Sequence, residues 1–149
     1  MNTINFRFHD ASCTLSHRTV LKKQLLNLFK SYHTLVDNVD YIFCSDDYLL
    51  DINRTYLNHD YYTDIITFDL STNHILSSEI YISIDRVKEN AKLYTSSFQN
   101  EIIRVISHGA LHLCGLKDKK AADIKTMRLA EENFIKRFHK NVSRTTVSR

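Results

Sequence analysis

Both glycines of the chain, Gly109 and Gly115, fall inside one stretch, Ser107 to Lys119, which reads SHGALHLCGLKDK; proline is absent throughout. Since glycine alone adopts positive φ freely, a sharp reversal of the backbone is most readily made in this stretch. The same stretch carries His108 and His112 at i and i+4, with Asp118 following. Residues four apart on an α-helix project from one face, so both imidazoles can reach one ion. Gly115 reads as the left-handed residue that ends the helix and returns the chain, bringing Asp118 toward that ion. Two imidazoles and a carboxylate leave a fourth position open, which is the arrangement of catalytic rather than structural zinc. Cys114 competes as third ligand because a thiolate is the softer donor. Its place two residues after His112 turns it about 200° around the helix, which favours Asp118.

The rest of the chain supplies strands and helices around this segment. Ile4 to Phe8 alternates apolar and polar residues as a half-buried strand does. From Ser16, an N-cap residue type, to about Tyr32, the positions Val20, Leu21, Leu25, Leu28 and Phe29 keep helical spacing. Tyr41 to Cys44 reads as a short second strand, and Asp46 or Asp47 can cap a helix carrying Leu49, Leu50, Ile52 and Tyr56. Leu57 to Tyr62 is polar and aromatic and predicts an exposed loop. Thr63 to Asp69, rich in β-branched and aromatic residues, predicts a central strand. After a polar link, Ser71 to Ser78, Glu79 to Ile84 predicts a fourth strand with Ile80, Ile82 and Ile84 on one face. Asp85 then caps a short helix through Tyr94. Ile102, Ile103, Val105, Ile106, Ala110, Leu111 and Leu113 describe a core helix from about Ser97, with His108 and His112 along one edge. A last helix spans about Ala122 to Phe138. The expected architecture is a single α+β domain over residues 1–140, a small mixed four-stranded sheet packed against helices with the metal site on a buried helix. Residues 141–149 are expected to form a basic, disordered tail.

The spacing H-x-x-x-H-x-x-G-x-x-D resembles the metal-binding signature of the metzincin proteases, in which a glutamate follows the first histidine. That position is Gly109 here, so the base for peptide hydrolysis is missing. Charge points to another substrate class. Residues 1–116 carry 10 Lys+Arg against 13 Asp+Glu, whereas residues 117–149 carry 10 against 4. The basic end adjoins the candidate site, which suits a polyanion such as RNA. The other six histidines, His9, His17, His33, His59, His74 and His139, lack ligand spacing, and most read as surface or packing residues; His59 stands apart because it lies in the loop before the central strand. Three cysteines without paired spacing and an alternating Asn2 to Asp10 segment indicate a reducing cytoplasm. No apolar run approaches the roughly 18 residues that span a bilayer, so a membrane role has no support in the sequence.

Two blocks resemble the YbeY family of bacterial rRNA maturation factors. The family signature H-G-x-L-H-L-x-G-[YF]-D-H is matched by H-G-A-L-H-L-C-G-L-K-D from His108 to Asp118. A second block, L-N-x-x-Y-R-G-x-D-x-x-T-D-V-L-S-F, is similar to Ile52 to Phe68. The likeness covers roughly residues 39 to 135. Two departures stand out: Asp118 and Lys117 occupy the third-ligand histidine and the aspartate before it, and Leu57 occupies the family's arginine.

The resemblance implies a zinc-dependent endoribonuclease acting on single-stranded RNA in rRNA maturation and ribosome quality control. One zinc ion, or another divalent metal, is held by His108, His112 and Asp118; no organic cofactor is implied. Arg54, one helical turn before Leu57, stands in for the missing arginine as the cation facing transition-state charge. Lys117, Lys119 and Lys120 hold the phosphate backbone of the RNA. Two other functions remain open on the same residues, a non-enzymatic ribosome assembly factor with a structural metal and a metal-dependent hydrolase of another substrate.

Overall fold

Four alternating segments form one mixed sheet, and five amphipathic helices cover it. The structure, a computed structural model, describes residues 2–147, with side chains through residue 145. In chain order the elements are β1 (Thr3–Phe8), α1 (Arg18–Ser31), β2 (Val36–Cys44), α2 (Asp46–Leu57), β3 (Ile65–Asp69), β4 (Leu76–Ser83), α3 (Ile84–Leu93), α4 (Phe98–Leu113) and α5 (Ala121–Val147). This is the expected α+β order. The strands run β1-β2-β4-β3, with β1–β2 and β2–β4 parallel and β3–β4 antiparallel.

The sheet separates two clusters. One face carries Ile4, Val39, Tyr41, Phe43, Leu76, Ile80 and Ile82 against Leu21, Leu25 and Phe29 of α1, Val87 of α3, Ile102 and Ile106 of α4, and Phe134 and Phe138 of α5. The opposite face holds a smaller cluster in which Ile66 and Cys44 meet Leu49 and Ile52 of α2. Helix α4 is clamped to the sheet by Tyr41, fully buried, whose hydroxyl donates to the Ile106 carbonyl at 2.8 Å. Gly109 lets the helix come closer still, because a Cβ there would lie 3.0 Å from Ile65 Cδ1 and 3.3 Å from two Ile80 atoms.

Several details depart from the sequence expectations. β3 is an edge strand rather than a central one. Its apolar and β-branched residues are sandwiched between α2 and α4 on its two faces, and that burial, not strand neighbours on both sides, explains its composition. β2 starts at Val36, well before Tyr41, because Asn38 and Asp40 point to the open face where Asn5 donates to both at 2.9 Å. The caps shift by one or two positions: Ser45 and Ser83, not the following aspartates, accept the N3 amides of α2 and α3. α1 starts at Arg18, and its N-cap His17 sits at φ 57 with no side-chain cap.

The largest correction is at the C-terminus. Residues 141–147, expected as a disordered tail, continue α5. The extension is held by tertiary partners: Asn141 Nδ2 donates to Gln24 Oε1 at 3.0 Å and Val142 packs on the core. Gln24 is itself buried and donates to the Phe134 carbonyl at 2.8 Å. Residues 148 and 149 lie outside the described residues. No described helix is long and apolar enough to cross a membrane.

Candidate functional site

The site forms where α4 ends. Ser97 caps the helix start through the Asn100 amide, and the apolar stripe of α4 is buried on the sheet, so the orientation of its remaining edge is fixed. On that edge Glu101, Arg104 and His108 follow at i, i+3 and i+7, successive positions of one helical face. At the C-terminus Gly115 stands at φ 103, its amide donating to His112 O while the Leu116 amide donates to Leu111 O. These two bonds form a Schellman cap, which reverses the chain. The reversal brings Asp118 back, as expected, with Oδ2 3.3 Å from His108 Nε2.

His112 is not part of that encounter. It is exposed, and its imidazole has no hydrogen-bond partner among the described residues. Among those residues no group of three His, Cys, Asp or Glu side chains is gathered closely enough to hold an ion. The donor set nevertheless suits a divalent cation: one imidazole nitrogen faces a carboxylate, a second imidazole without a partner lies one turn away, and all three donors are nitrogen or oxygen. Cys114 is drawn elsewhere. It packs against the main core cluster, and burial pushes its thiol up to about 11, opposed by a hydrogen bond with Thr34.

The other nitrogen of His108 is engaged from behind. Nδ1 lies 2.6 Å from Glu131 Oε2, a carboxylate on α5 whose side chain is 2% exposed. Glu131 Oε1 accepts from Arg104 Nη1 at 3.1 Å, and Arg104 also grips Glu101 through Nε and Nη2. Burial works against the charged form of His108, but the hydrogen bond and charge of Glu131, with Asp118 and Asp64 behind them, outweigh it and raise its pKa. For Glu131, burial is overcome by His108 and Arg104, and its pKa is lowered. Asp64, just before β3, is raised by burial while Arg104 and His108 pull the other way, which places its carboxylate in the same electrostatic environment.

The predicted cations are distributed unevenly. Lys117, Lys119 and Lys120 are exposed on the segment between α4 and α5, and none has an ion-pair partner among the described residues. Arg54 is exposed on α2 and ion-paired with Asp60 and, at 4.0 Å, with Asp51. Among the described residues it makes no ion pair with Asp118 and no hydrogen bond with His108. Sequence reasoning missed Glu131, Arg104 and Asp64 as members of the site. A signal existed: Glu101 and Arg104 interrupt an apolar run, and Glu131 stands between Met127 and Phe134 on the buried stripe of α5. Charged residues are almost never fully buried unless paired, so such positions announce a partner.

Comparison with known proteins bears on the chain as a whole, in sequence and in fold. The sequence model of a family described as Endoribonuclease YbeY matches residues 4–139. A protein of that name from Porphyromonas gingivalis is 41% identical over 135 residues, covering 91% of this chain and 89% of its own length. Another from Cytophaga hutchinsonii is 45% identical over 131 residues, covering 87% and 92%. The solution structure of TM1509 from Thermotoga maritima superposes with a TM-score of 0.66 at 23% identity, over 99% of this chain and 96% of that one, a likeness of fold.

Proposed function

From the membership of this chain in the YbeY endoribonuclease family, we propose that it is a zinc-dependent hydrolase that cleaves single-stranded RNA during rRNA maturation and ribosome quality control in the cytoplasm. The observation that carries the metal part of this reading is the encounter of His108 Nε2 with Asp118 Oδ2 at 3.3 Å, created by the Gly115 turn. His108, His112 and Asp118 are the residues that would hold the ion. The chemistry that such an ion would supply when bound is acidification of a water or polarisation of a phosphoryl oxygen.

The remaining steps fall to the chain itself. Lys117, Lys119 and Lys120, without ion-pair partners among the described residues and next to Asp118, take backbone phosphates of the RNA and of the ribosome, giving affinity without sequence preference. Arg54 supplies a guanidinium for the extra negative charge of the transition state, and its pairs with Asp60 and Asp51 open when it does so. The buried Glu101–Arg104–Glu131 cluster keeps the edge of α4 rigid, so that the ligand face does not wander.

Cleavage of a fluorescent single-stranded RNA by the purified chain tests the reading. Chelation is expected to abolish cleavage and zinc to restore it, and His112→Ala is expected to remove it from a protein that keeps its unfolding midpoint. Cleavage that survives both treatments would overturn the metal-dependent mechanism. Ribosome association without any cleavage would favour the assembly-factor reading.

A further inference from the structure

A charge count around α4 singles out Glu131. The side chains of Glu101 and Glu131 are each 2% exposed, and Arg104 is the one cation bonded to both. Arg104 and Glu101 alone would make a neutral buried pair, held by two hydrogen bonds. Glu131 adds a second negative charge to a nearly dry location, which is costly unless a second cation meets it. Among the described residues it meets no lysine or arginine beyond the shared Arg104: its Oε1 accepts from Arg104 Nη1 at 3.1 Å, and its Oε2 points at His108 Nδ1 from 2.6 Å. The excess charge of the cluster is thus directed through one imidazole, whose opposite nitrogen faces Asp118.

The geometry points to Glu131 as a positioning residue: braced by Arg104, it accepts the Nδ1–H of His108 and thereby presents Nε2, with its lone pair, on the side of Asp118 as the ligating atom. Which imidazole nitrogen can bind a metal is set by the hydrogen bond that the other one makes, and a carboxylate behind the ring also makes it a better donor. Glu131 comes from α5, so this arrangement ties the docking of the C-terminal helix to the ligand on α4. The inference rests on the reading of His108 as a metal ligand, and the experiment separates the two.

Two measurements on the full-length protein decide it. The first is long-range proton–nitrogen NMR of the His108 ring in metal-free protein, at a pH high enough for the ring to be neutral. The wild-type ring should carry its proton on Nδ1, and Glu131→Ala should shift it toward Nε2; an Nε2–H ring in the wild type overturns the proposal without any variant. The second is the zinc dissociation constant, measured in competition with a chromogenic chelator. Glu131→Ala should weaken zinc binding about 10- to 100-fold, whereas Glu131→Gln, whose amide oxygen still accepts from Nδ1, should lose clearly less. Glu131→Ala binding zinc as tightly as the wild type overturns the proposal. Should Glu131→Ala fail to fold, Glu131→Leu, which also lacks the acceptor, takes its place, and unchanged tautomer and affinity in that variant would equally sink the proposal. A wild type that holds Nδ1–H but binds no zinc would refute His108 as a ligand and leave the hold of Glu131 on its ring standing.

Discussion

Arg104 is the residue on which the most buried charge depends. Its guanidinium bonds two carboxylates that are each 2% exposed, and its own side chain is 19% exposed. Removing one member of a buried ionic cluster leaves the others uncompensated, at a cost of about 3–5 kcal/mol. Arg104→Met, which keeps the aliphatic bulk, is therefore expected to lower stability by that amount in urea titrations; a loss below about 1 kcal/mol would mean that water reaches both carboxylates. The His108–Glu131 pair adds a pH dependence to the metal-free protein. His108 is raised above its ordinary 6.5, so its contribution is complete below 6.5 and fades as pH climbs through the raised value. Glu131 is lowered from 4.5, so its contribution is complete above 4.5 and fades as pH falls through the lowered value. The pair is thus worth most between pH 4.5 and 6.5. A plot of urea midpoint against pH, in chelator, should show a plateau there that flattens in Glu131→Gln.

Helix α4 unites the core and the site, and Gly109 shows how closely the two are joined. A glutamate at that position would serve a metalloprotease, but here the position faces the sheet, with Ile65 and Ile80 within 3.3 Å of any added Cβ. The glycine is explained by helix-to-sheet distance, not by the chemistry of a missing base. Alanine would gain up to about 1 kcal/mol of helix propensity, against about 1–3 kcal/mol for overpacking. Gly109→Ala should therefore be destabilised by up to about 2 kcal/mol, read as a drop in Tm, and Gly109→Leu considerably more. An unchanged Tm for the leucine variant would show that α4 can lift off the sheet freely. At this scale much was legible in the sequence. The i, i+4 histidines and the Gly115 turn are local, and the structure has both on the helix end that their spacing predicts. The carboxylate behind His108 was not legible, since it arrives from α5 through tertiary packing and no periodicity links Glu131 to His108. The caps were misplaced because Ser45-Asp46 and Ser83-Ile84-Asp85 each offer two residue types that favour a helix start, one by hydrogen bond and one by charge.

For the whole molecule, the order of elements followed from hydrophobic period, but the order of strands did not. Composition reports how far a strand is covered, and β3, with Ile66 buried and Ile65, Thr67 and Phe68 half-buried, is flanked by helices on both faces while remaining at the sheet edge. The end of α5 was hidden for a related reason: residues 141–147 look polar in isolation and become helical because Gln24 and the core receive Asn141 and Val142. This longer helix also changes the meaning of the charge asymmetry. Lys125, Arg128, Lys136, Arg137, Lys140 and Arg144 are exposed on one folded element that starts next to the site, not scattered along a loose tail. Lys117, Lys119 and Lys120 stand at its entrance, where they are free of ion pairs among the described residues. Each phosphate contact on single-stranded nucleic acid contributes roughly 0.7 to the slope of log affinity against log salt. Replacing the three lysines by alanine should therefore reduce that slope by about 2, and should weaken two unrelated RNA sequences to the same extent, because phosphate contacts position without reading bases. Fluorescence anisotropy at several salt concentrations measures both quantities. A slope unchanged by the triple substitution would move the RNA path off this segment, to the basic face of α5, and a loss confined to one sequence would mean that the lysines read bases rather than backbone.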